Sequence, residues 1–162
     1  GKDGNSFKFI KFRSMKNALD SQGNLLPDEQ RITSFGQKLR ATTLDEMPQL
    51  FNVLKGDMSI VGPRPQMPEF LEYYTTDQMR RHEVKPGMTG LAQVSGRNNL
   101  SWEEKFNLDV QYVENHNILL DFKIMLKTVD VMLKREGINA PNQTVGSSRF
   151  TGSESQSGSI VK

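Results

Sequence analysis

Residues 40–65 have the sequence RATTLDEMPQLFNVLKGDMSIVGPRP, in which helix, strand and turn signals follow one another closely. Thr43 and Glu46 have the spacing of a capping box, and Gly56 is a helix stop. Pro48 complicates the start, because proline is tolerated best in the first turn of a helix. Apolar residues recur on one helical face between these signals: Leu44, Met47, Leu50, Phe51 and Leu54. The stretch therefore predicts a single helix that ends at Gly56.

A short strand and a stiff loop follow this helix. Residues 58–61, MSIV, read as the strand. The sequence Gly62-Pro63-Arg64-Pro65 then predicts a non-helical loop, because the residue before a proline is pushed away from the α conformation. The two prolines lower the entropy lost on fixing Arg64, whose guanidinium can present a planar fork to a phosphate. A solvated arginine or a salt bridge is the alternative.

Helical patterns dominate the remainder of the chain. Further helices are predicted over four stretches: residues 28–39, 68–82, 101–116 and 118–136. Residues 6–12 are rich in aromatic residues and predict a strand. Residues 85–97 contain four glycines or prolines and predict an irregular segment. We therefore expect an α+β fold, a predominantly helical single domain with a small β element and amphipathic helices suited to an interface.

Composition limits the classes of protein to consider. The 162 residues suit one domain, which we place at residues 1–140, with a flexible C-terminal tail at 141–162. No window approaches the roughly 20 apolar residues that a spanning helix needs. The chain has no cysteine and two histidines, which excludes disulfides and argues against a His-rich metal site. The net charge of +2 gives no argument for a nucleic acid partner.

Asp45 and Glu46 are the first candidates for chemistry. Adjacent side chains on a helix point about 100° apart, so one carboxylate can act as a nucleophile while the other holds a metal. A helix N-terminus favours the ionised form that a carboxylate nucleophile needs. Ordinary capping by acidic residues in a first turn is the alternative, and from the dipeptide alone it is the stronger one.

Three arginines are candidates for binding phosphate, namely Arg40, Arg64 and Arg97. Each of them is also compatible with a structural salt bridge. The glycines in residues 87–90 and 94–97 allow backbone N–H groups to approach a phosphate, although tight turns explain them equally. This spacing is neither a Walker motif nor a dinucleotide fingerprint.

Two amphipathic segments are candidates for a membrane surface. Residues 7–16 alternate phenylalanines with lysines and an arginine, which suits anionic lipid headgroups or the wet face of a strand. Residues 118–136 are apolar over a wide arc with basic residues on the rest, which suits an interfacial helix or a core helix. From spacing alone the structural interpretation is favoured for both.

Together these residues resemble a known family, the bacterial sugar transferases, which are small monotopic polyprenyl-phosphate phosphoglycosyl transferases. The matching blocks are residues 9–15 (FIKFRSM), 40–65, and 84–97 (VKPGMTGLAQVSGR), with a weaker match over 102–137. The resemblance covers roughly residues 1–140, and the long middle block makes chance agreement implausible.

The resemblance implies a chemistry for the matched residues. Asp45 attacks the β-phosphate of a UDP-sugar, UMP leaves, and polyprenyl (undecaprenyl) phosphate takes the phospho-sugar from Asp45. Glu46 is implied as a ligand of Mg²⁺, which takes one or two carboxylates plus phosphate oxygens. Arg40, Arg64 and Arg97 neutralise phosphate charge, and Pro65 belongs to the same substrate-binding loop.

The resemblance also implies a place in the cell. Family members carry a hydrophobic re-entrant membrane helix upstream of the block that begins here, so we expect such a segment before Gly1. The expected location is the cytoplasmic face of the bacterial inner membrane, at the first membrane step of surface polysaccharide or glycan synthesis. Nothing in the sequence specifies the sugar or the pathway.

Two other hypotheses remain open at this stage. A membrane-surface adaptor would bind a nucleotide-sugar or a protein without turnover, and the amphipathic helix motivates it. A Mg²⁺-dependent phosphohydrolase would discharge an aspartyl-phosphate to water. We rank the hydrolase last, because the resemblance extends far beyond the two carboxylates.

Overall fold

The computed structural model describes residues 1–96 and 99–134 together with Phe150 and Gly152. In this part of the chain the α-helices are α1 (Asp28–Arg31), α2 (Ser34–Ala41), α3 (Gln49–Lys55), α4 (Thr76–Met79), α5 (Leu91–Ser95), α6 (Trp102–Asn115) and α7 (Ile118–Lys134). The strands are β1 (Ser59–Val61) and β2 (Gly87–Thr89), and short 3₁₀ turns link several of the helices. The α+β prediction of a mainly helical domain with a small β element is confirmed.

The two strands form a parallel sheet in which Ser59 pairs with Gly87 and Val61 with Thr89. The backbones approach closely where β1 ends. A Cβ atom on Gly62 would lie 2.5 Å from the carbonyl oxygen of Lys85, and one on Gly87 would lie 2.1 Å from the nitrogen of Gly62. Glycine at both positions therefore allows the sheet to close and fixes where the following proline-rich loop leaves it.

The prediction of an irregular segment at 85–97 is wrong for most of its length. It contains β2 and α5, and its glycines at positions 87 and 90 serve close backbone packing. Neither element is longer than five residues. Local periodicity does not reveal elements that short, because tertiary contacts hold them.

Two clusters of buried side chains form the core. The first joins β1, α5, α6 and α7 through Val61, Val94, Tyr112 and Ile124. The second is aromatic and is built from Phe70, Tyr74, Phe106 and Phe150. Phe150 is 3% exposed and falls in the predicted tail, of which only Gly152 is otherwise described.

The strand predicted at residues 6–12 is wrong, because the described part of the structure assigns these residues to no sheet. A side chain takes the place of a partner strand. The Ile10 N–H donates to Asn52 Oδ1 at 3.1 Å, and Asn52 Nδ2 donates to the Lys8 carbonyl oxygen at 2.7 Å. The Phe12 N–H donates to the Asp45 carbonyl oxygen at 2.9 Å. The N-terminal segment is therefore tied across α3 and the turn before it.

Two predicted helices are divided in the structure. The helix predicted over 28–39 breaks at Thr33, whose side chain caps α2 by accepting from the Gly36 N–H at 2.8 Å. The helix predicted over 68–82 breaks at Thr75, which forms a capping box with Gln78 at the start of α4. Each break occurs where a threonine side chain satisfies the first N–H groups of a new helix. By contrast, α6 and α7 confirm the long predicted helices as far as the described residues extend.

Candidate active site

The turn that carries Asp45 and Glu46 is a 3₁₀ turn over Leu44–Glu46, and α3 begins only after Pro48. The single helix predicted here is therefore wrong, and so is the capping box, because the Thr43 side chain forms no capping hydrogen bond. Thr43 instead has a left-handed backbone with φ 59°. A β-branched residue in this region costs about 1–3 kcal/mol, and such strain concentrates at functional sites. Gly56 does end α3, with φ 84°, as predicted.

The orientation of α3 is inverted relative to an ordinary amphipathic helix. Its buried residues are polar, with Gln49 and Asn52 each 1% exposed. Its apolar residues face outward, with Phe51 62% and Leu54 82% exposed. The polar face of α3 is therefore packed inside the protein, and its apolar face is an exposed surface.

Asp45 is 7% exposed, although it is a carboxylate. Burial raises the pKa of its carboxyl group, and the adjacent Glu46 carboxylate raises it further. The positive charges of Arg40 and Lys11 act in the opposite direction on this pKa. The Asp45 carboxylate is therefore poorly hydrated, and the nearby cations partly offset the effect of burial on its pKa.

Glu46 is held by Arg64 from the proline-rich loop. Arg64 Nη1 donates to Glu46 Oε2 at 3.1 Å, and Arg64 Nη2 donates to Glu46 Oε1. Burial raises the pKa of Glu46, but the hydrogen bonds and charge of Arg64 outweigh it and bring the pKa below its ordinary value. Gln49 and Lys11 contribute in the same direction. The pKa values of these two acidic neighbours are thus shifted in opposite directions, a pattern typical of paired carboxylates that have different roles.

Of the other predicted phosphate-binding residues, Arg40 and Pro65 are described by the structure. Arg40 Nε donates a hydrogen bond to Ser14 Oγ at 2.9 Å, and the positive charge of Arg40 acts to lower the pKa of Asp45. Pro65 is half-buried and directly follows Arg64 in the loop. Arg97 lies outside the described residues. The structure therefore brings Arg40, Asp45, Glu46 and Arg64 together, and the role of each stays a prediction.

Asp45 and Glu46 are the acidic side chains that the candidate site offers to Mg²⁺. Among the described residues no three His, Cys, Asp or Glu side chains form a metal-binding group. Arg64 engages both Glu46 oxygens, but an ionised carboxylate has about four acceptor sites, so Arg64 does not use all of them. Mg²⁺ is usually bound by one or two carboxylates, with substrate phosphates and water completing the shell. Glu46 beside Asp45 fits a Mg²⁺ ion of this kind.

Comparison with known proteins identifies the family. Residues 1–135 match the family described as bacterial sugar transferase. The chain belongs to the bacterial sugar transferase family. The uncharacterized sugar transferase EpsL of Bacillus subtilis (strain 168) is 55% identical over 153 residues, which are 94% of this chain and 75% of that protein.

Two further relatives of this sugar transferase carry names that state a reaction. The undecaprenyl-phosphate galactose phosphotransferase of Salmonella typhimurium is 43% identical, over 85% of this chain and 32% of that protein. The UDP-glucose:undecaprenyl-phosphate glucose-1-phosphate transferase of Klebsiella pneumoniae is 41% identical, over 80% of this chain and 30% of that protein. The chain thus spans about a third of each, and identity does not choose between the two sugars.

Sequence reasoning on this sugar transferase missed three residues next to the site. Lys11 acts electrostatically on both carboxylates, although its pattern indicated only a basic strand or a lipid contact. Gln49 is buried and lowers the pKa of Glu46, but no motif or spacing in the sequence marked it as a candidate site residue. Arg81 donates to the backbone of Arg64, a contact that joins residues 17 positions apart. For Lys11, the one available signal was its place in residues 9–15, a block that carries the family resemblance.

Proposed function

We propose that this sugar transferase moves a phospho-sugar from a UDP-sugar to undecaprenyl phosphate. The Salmonella and Klebsiella relatives are named for reactions of this class. The observation that carries the proposal is the pairing of a buried carboxylate, Asp45, with a second carboxylate that an arginine fork holds in place. The reaction belongs to the first membrane step of surface polysaccharide or glycan synthesis.

In the first step a carboxylate oxygen of Asp45 attacks the β-phosphorus of the UDP-sugar. A bond forms between this oxygen and phosphorus, while the bond from phosphorus to the oxygen bridging both phosphates breaks. UMP leaves with that bridging oxygen and its electron pair. The phospho-sugar stays on Asp45 as a mixed acyl phosphate, so no proton has to move.

In the second step an oxygen of undecaprenyl phosphate attacks the same phosphorus. The bond from phosphorus to the Asp45 oxygen breaks, and the carboxylate is restored. The product is a sugar joined to the lipid through a diphosphate. Burial favours both steps, because a poorly hydrated Asp45 carboxylate is a better nucleophile and water is kept from the acyl phosphate.

The cations near Asp45 stabilise the transferring group. Arg40 and Lys11 favour the ionised form of the Asp45 carboxylate, and we expect their charges to stabilise the phosphate that this carboxylate attacks. Glu46, oriented by Arg64, is the residue that would hold Mg²⁺. A bound Mg²⁺ ion supplies charge neutralisation for the diphosphate. Arg97 is expected to add a further positive charge.

The reaction is proposed to occur at the cytoplasmic face of the bacterial inner membrane. Leu44 and Met47 flank the two carboxylates in sequence and are about half exposed, at 49% and 48%. With the outward face of α3 they form an apolar surface beside Asp45, and Lys11 lies near it. This surface suits the lipid interface where undecaprenyl phosphate resides. No helix in the described part of the chain has the length and apolar content to span a bilayer.

The test is release of UMP and formation of lipid-linked sugar by the full-length protein in nanodiscs, with Mg²⁺ and a panel of UDP-sugars. Asp45→Asn should abolish both products. The matched control is Asp130→Asn, which alters an exposed carboxylate of α7 and should leave both rates unchanged. Normal UMP release by the Asp45 variant would overturn the assigned nucleophile.

The same assay separates the other two hypotheses. Binding of a UDP-sugar without any turnover by the wild-type protein would support the adaptor. Steady formation of free sugar phosphate without undecaprenyl phosphate would support the phosphohydrolase. The transferase predicts at most one UMP per protein until the lipid acceptor is added.

A further inference from the structure

Arg81 is a buried arginine in the 3₁₀ turn Arg80–His82, outside the candidate active site. Its side chain is 1% exposed, and that of its ion-pair partner Asp109 in α6 is 4% exposed. Arg81 Nε and Nη2 donate to Asp109 Oδ2 at 3.0 and 2.7 Å. Its Nη1 donates to the Tyr74 hydroxyl at 3.1 Å. The guanidinium therefore has a fixed position between α6 and the 3₁₀ turn that carries it.

The remaining contact of this guanidinium reaches the candidate active site. Arg81 Nη2 also donates to the backbone carbonyl oxygen of Arg64 at 2.7 Å. The following residue is Pro65, which has no N–H, so the carbonyl is the only hydrogen-bonding group of that peptide unit. Both neighbours of Arg64 are prolines whose φ angles are restricted. The contact therefore fixes the orientation of the Arg64 carbonyl and of the peptide unit that joins Arg64 to Pro65.

Packing alone does not account for a charge at this position. The Arg81 guanidinium lies 5.6 Å from the ring centre of Tyr74 and 5.4 Å from that of Phe106, in an apolar part of the core. Asp109 Oδ1 has no hydrogen-bond partner among the described residues. A buried ion pair of this kind is often replaced by apolar residues of similar volume without loss of stability. A charged pair at this position is explained if the hydrogen bond to the Arg64 carbonyl is needed.

We infer that Arg81 is a positioning residue, which holds the Arg64 carbonyl so that the Arg64 side chain meets Glu46. The inference rests on the proposed function, in which Glu46 must be oriented toward the diphosphate. The path runs from Asp109 through Arg81 to the Arg64 backbone, and from the Arg64 side chain to both oxygens of Glu46. Arg81 touches neither carboxylate of the active site and acts only through Arg64.

The test separates positioning from packing by means of two variants of the full-length protein. The double variant Arg81→Met/Asp109→Leu replaces the ion pair by an apolar pair and should keep the wild-type Tm. Arg81→Lys keeps a charge for Asp109 but cannot reach all three acceptors, because it lacks the planar fork. For both, we expect kcat for UMP release to fall about 10- to 100-fold with little change in KM. Arg80→Met, which removes an exposed neighbouring arginine with surface ion pairs, is the control expected to keep the wild-type rate.

A second readout does not depend on turnover. Hydrogen exchange at residues 62–67 should become faster in both Arg81 variants and stay unchanged in the control. Wild-type kcat and unchanged exchange in this loop, in either variant with a wild-type Tm, would overturn the inference. If the wild-type protein releases no UMP, the proposed function fails, whereas the exchange measurement still decides whether Arg81 holds the loop.

Discussion

Arg64 and Glu46 form a two-pronged ion pair that joins the proline-rich loop to the turn carrying Asp45. The two residues are 18 positions apart. The pair is partly buried, with side chains 41% and 17% exposed, so water weakens it less than a surface pair. Its main effect is geometric, because a guanidinium that meets both oxygens fixes the plane of the Glu46 carboxylate.

Arg64→Lys tests whether this geometry matters beyond the charge. Lysine keeps a positive charge but cannot engage both oxygens in one plane, so the Glu46 carboxylate becomes free to rotate. We expect kcat/KM for UMP release to fall about 100-fold. The matched control is Arg80→Lys on the surface, which should change the rate less than twofold, within about 0.4 kcal/mol. A fully active Arg64→Lys enzyme would show that charge alone suffices.

Asp45→Asn should stabilise the folded protein while abolishing activity. Burial and the Glu46 charge raise the pKa of Asp45 above 3.8, so ionising it opposes folding. That cost is present above the folded-state pKa and disappears as the pH falls toward 3.8. We expect the variant to have a Tm at least about 2 °C higher at pH 7, the shift that roughly 1 kcal/mol produces in a domain this size.

The pH dependence provides the check on this prediction. Thermal unfolding of both proteins should be followed from pH 7 to pH 4 with a chelator present, so that bound cations do not contribute. The difference in Tm should shrink as the pH falls. An Asn variant that is less stable than wild type at pH 7 would indicate that Asp45 is an ordinary structural carboxylate.

Glu46→Gln should have the opposite effect on stability. The pKa of Glu46 lies below its ordinary value of 4.5, despite burial, because of Arg64. The ion pair therefore stabilises the fold above pH 4.5 and loses this contribution as the pH falls through the folded-state pKa. We expect the variant to lose about 1 kcal/mol at pH 7, after allowance for solvent at Arg64. Equal Tm values of variant and wild type at pH 7 would contradict the prediction.

Leu54→Glu tests the apolar surface of α3. Leu54 is 82% exposed, so the substitution should leave the Tm unchanged while removing a contact with lipid. We expect cosedimentation of the protein with anionic liposomes to weaken about tenfold or more. The matched control is Leu19→Glu, at an exposed leucine in the loop before α1. Equal weakening by both variants would mean that net charge, rather than this surface, controls binding.

The sequence was sufficient to predict the long helices and to name the candidate residues of the site. Helices α6 and α7 agree with the helical patterns of the sequence, and Ser101 and Glu104 form a capping box at the start of α6. Asp45, Glu46 and Arg64 were found because a long block of sequence resembles one family. Both kinds of signal are local in the chain, so one sequence is enough to detect them.

The features that sequence reasoning missed depend on contacts between distant residues. Asn52 is buried in α3, where its side chain binds the N-terminal segment. The same contact replaces a partner strand for residues 6–12. Arg81 donates a hydrogen bond to the backbone carbonyl of Arg64. Every residue has a backbone carbonyl, so the sequence does not indicate which one a buried arginine will bind.

The most direct test of covalent transfer is the intact mass of the full-length protein after incubation with Mg²⁺ and each UDP-sugar, without a lipid acceptor. We predict a gain of one phospho-sugar, matched by one UMP per protein, with one sugar preferred over the others. The adduct should be absent in Asp45→Asn and should disappear when undecaprenyl phosphate is added. Lipid-linked sugar formed by the wild-type protein without any adduct on Asp45 would contradict the covalent mechanism.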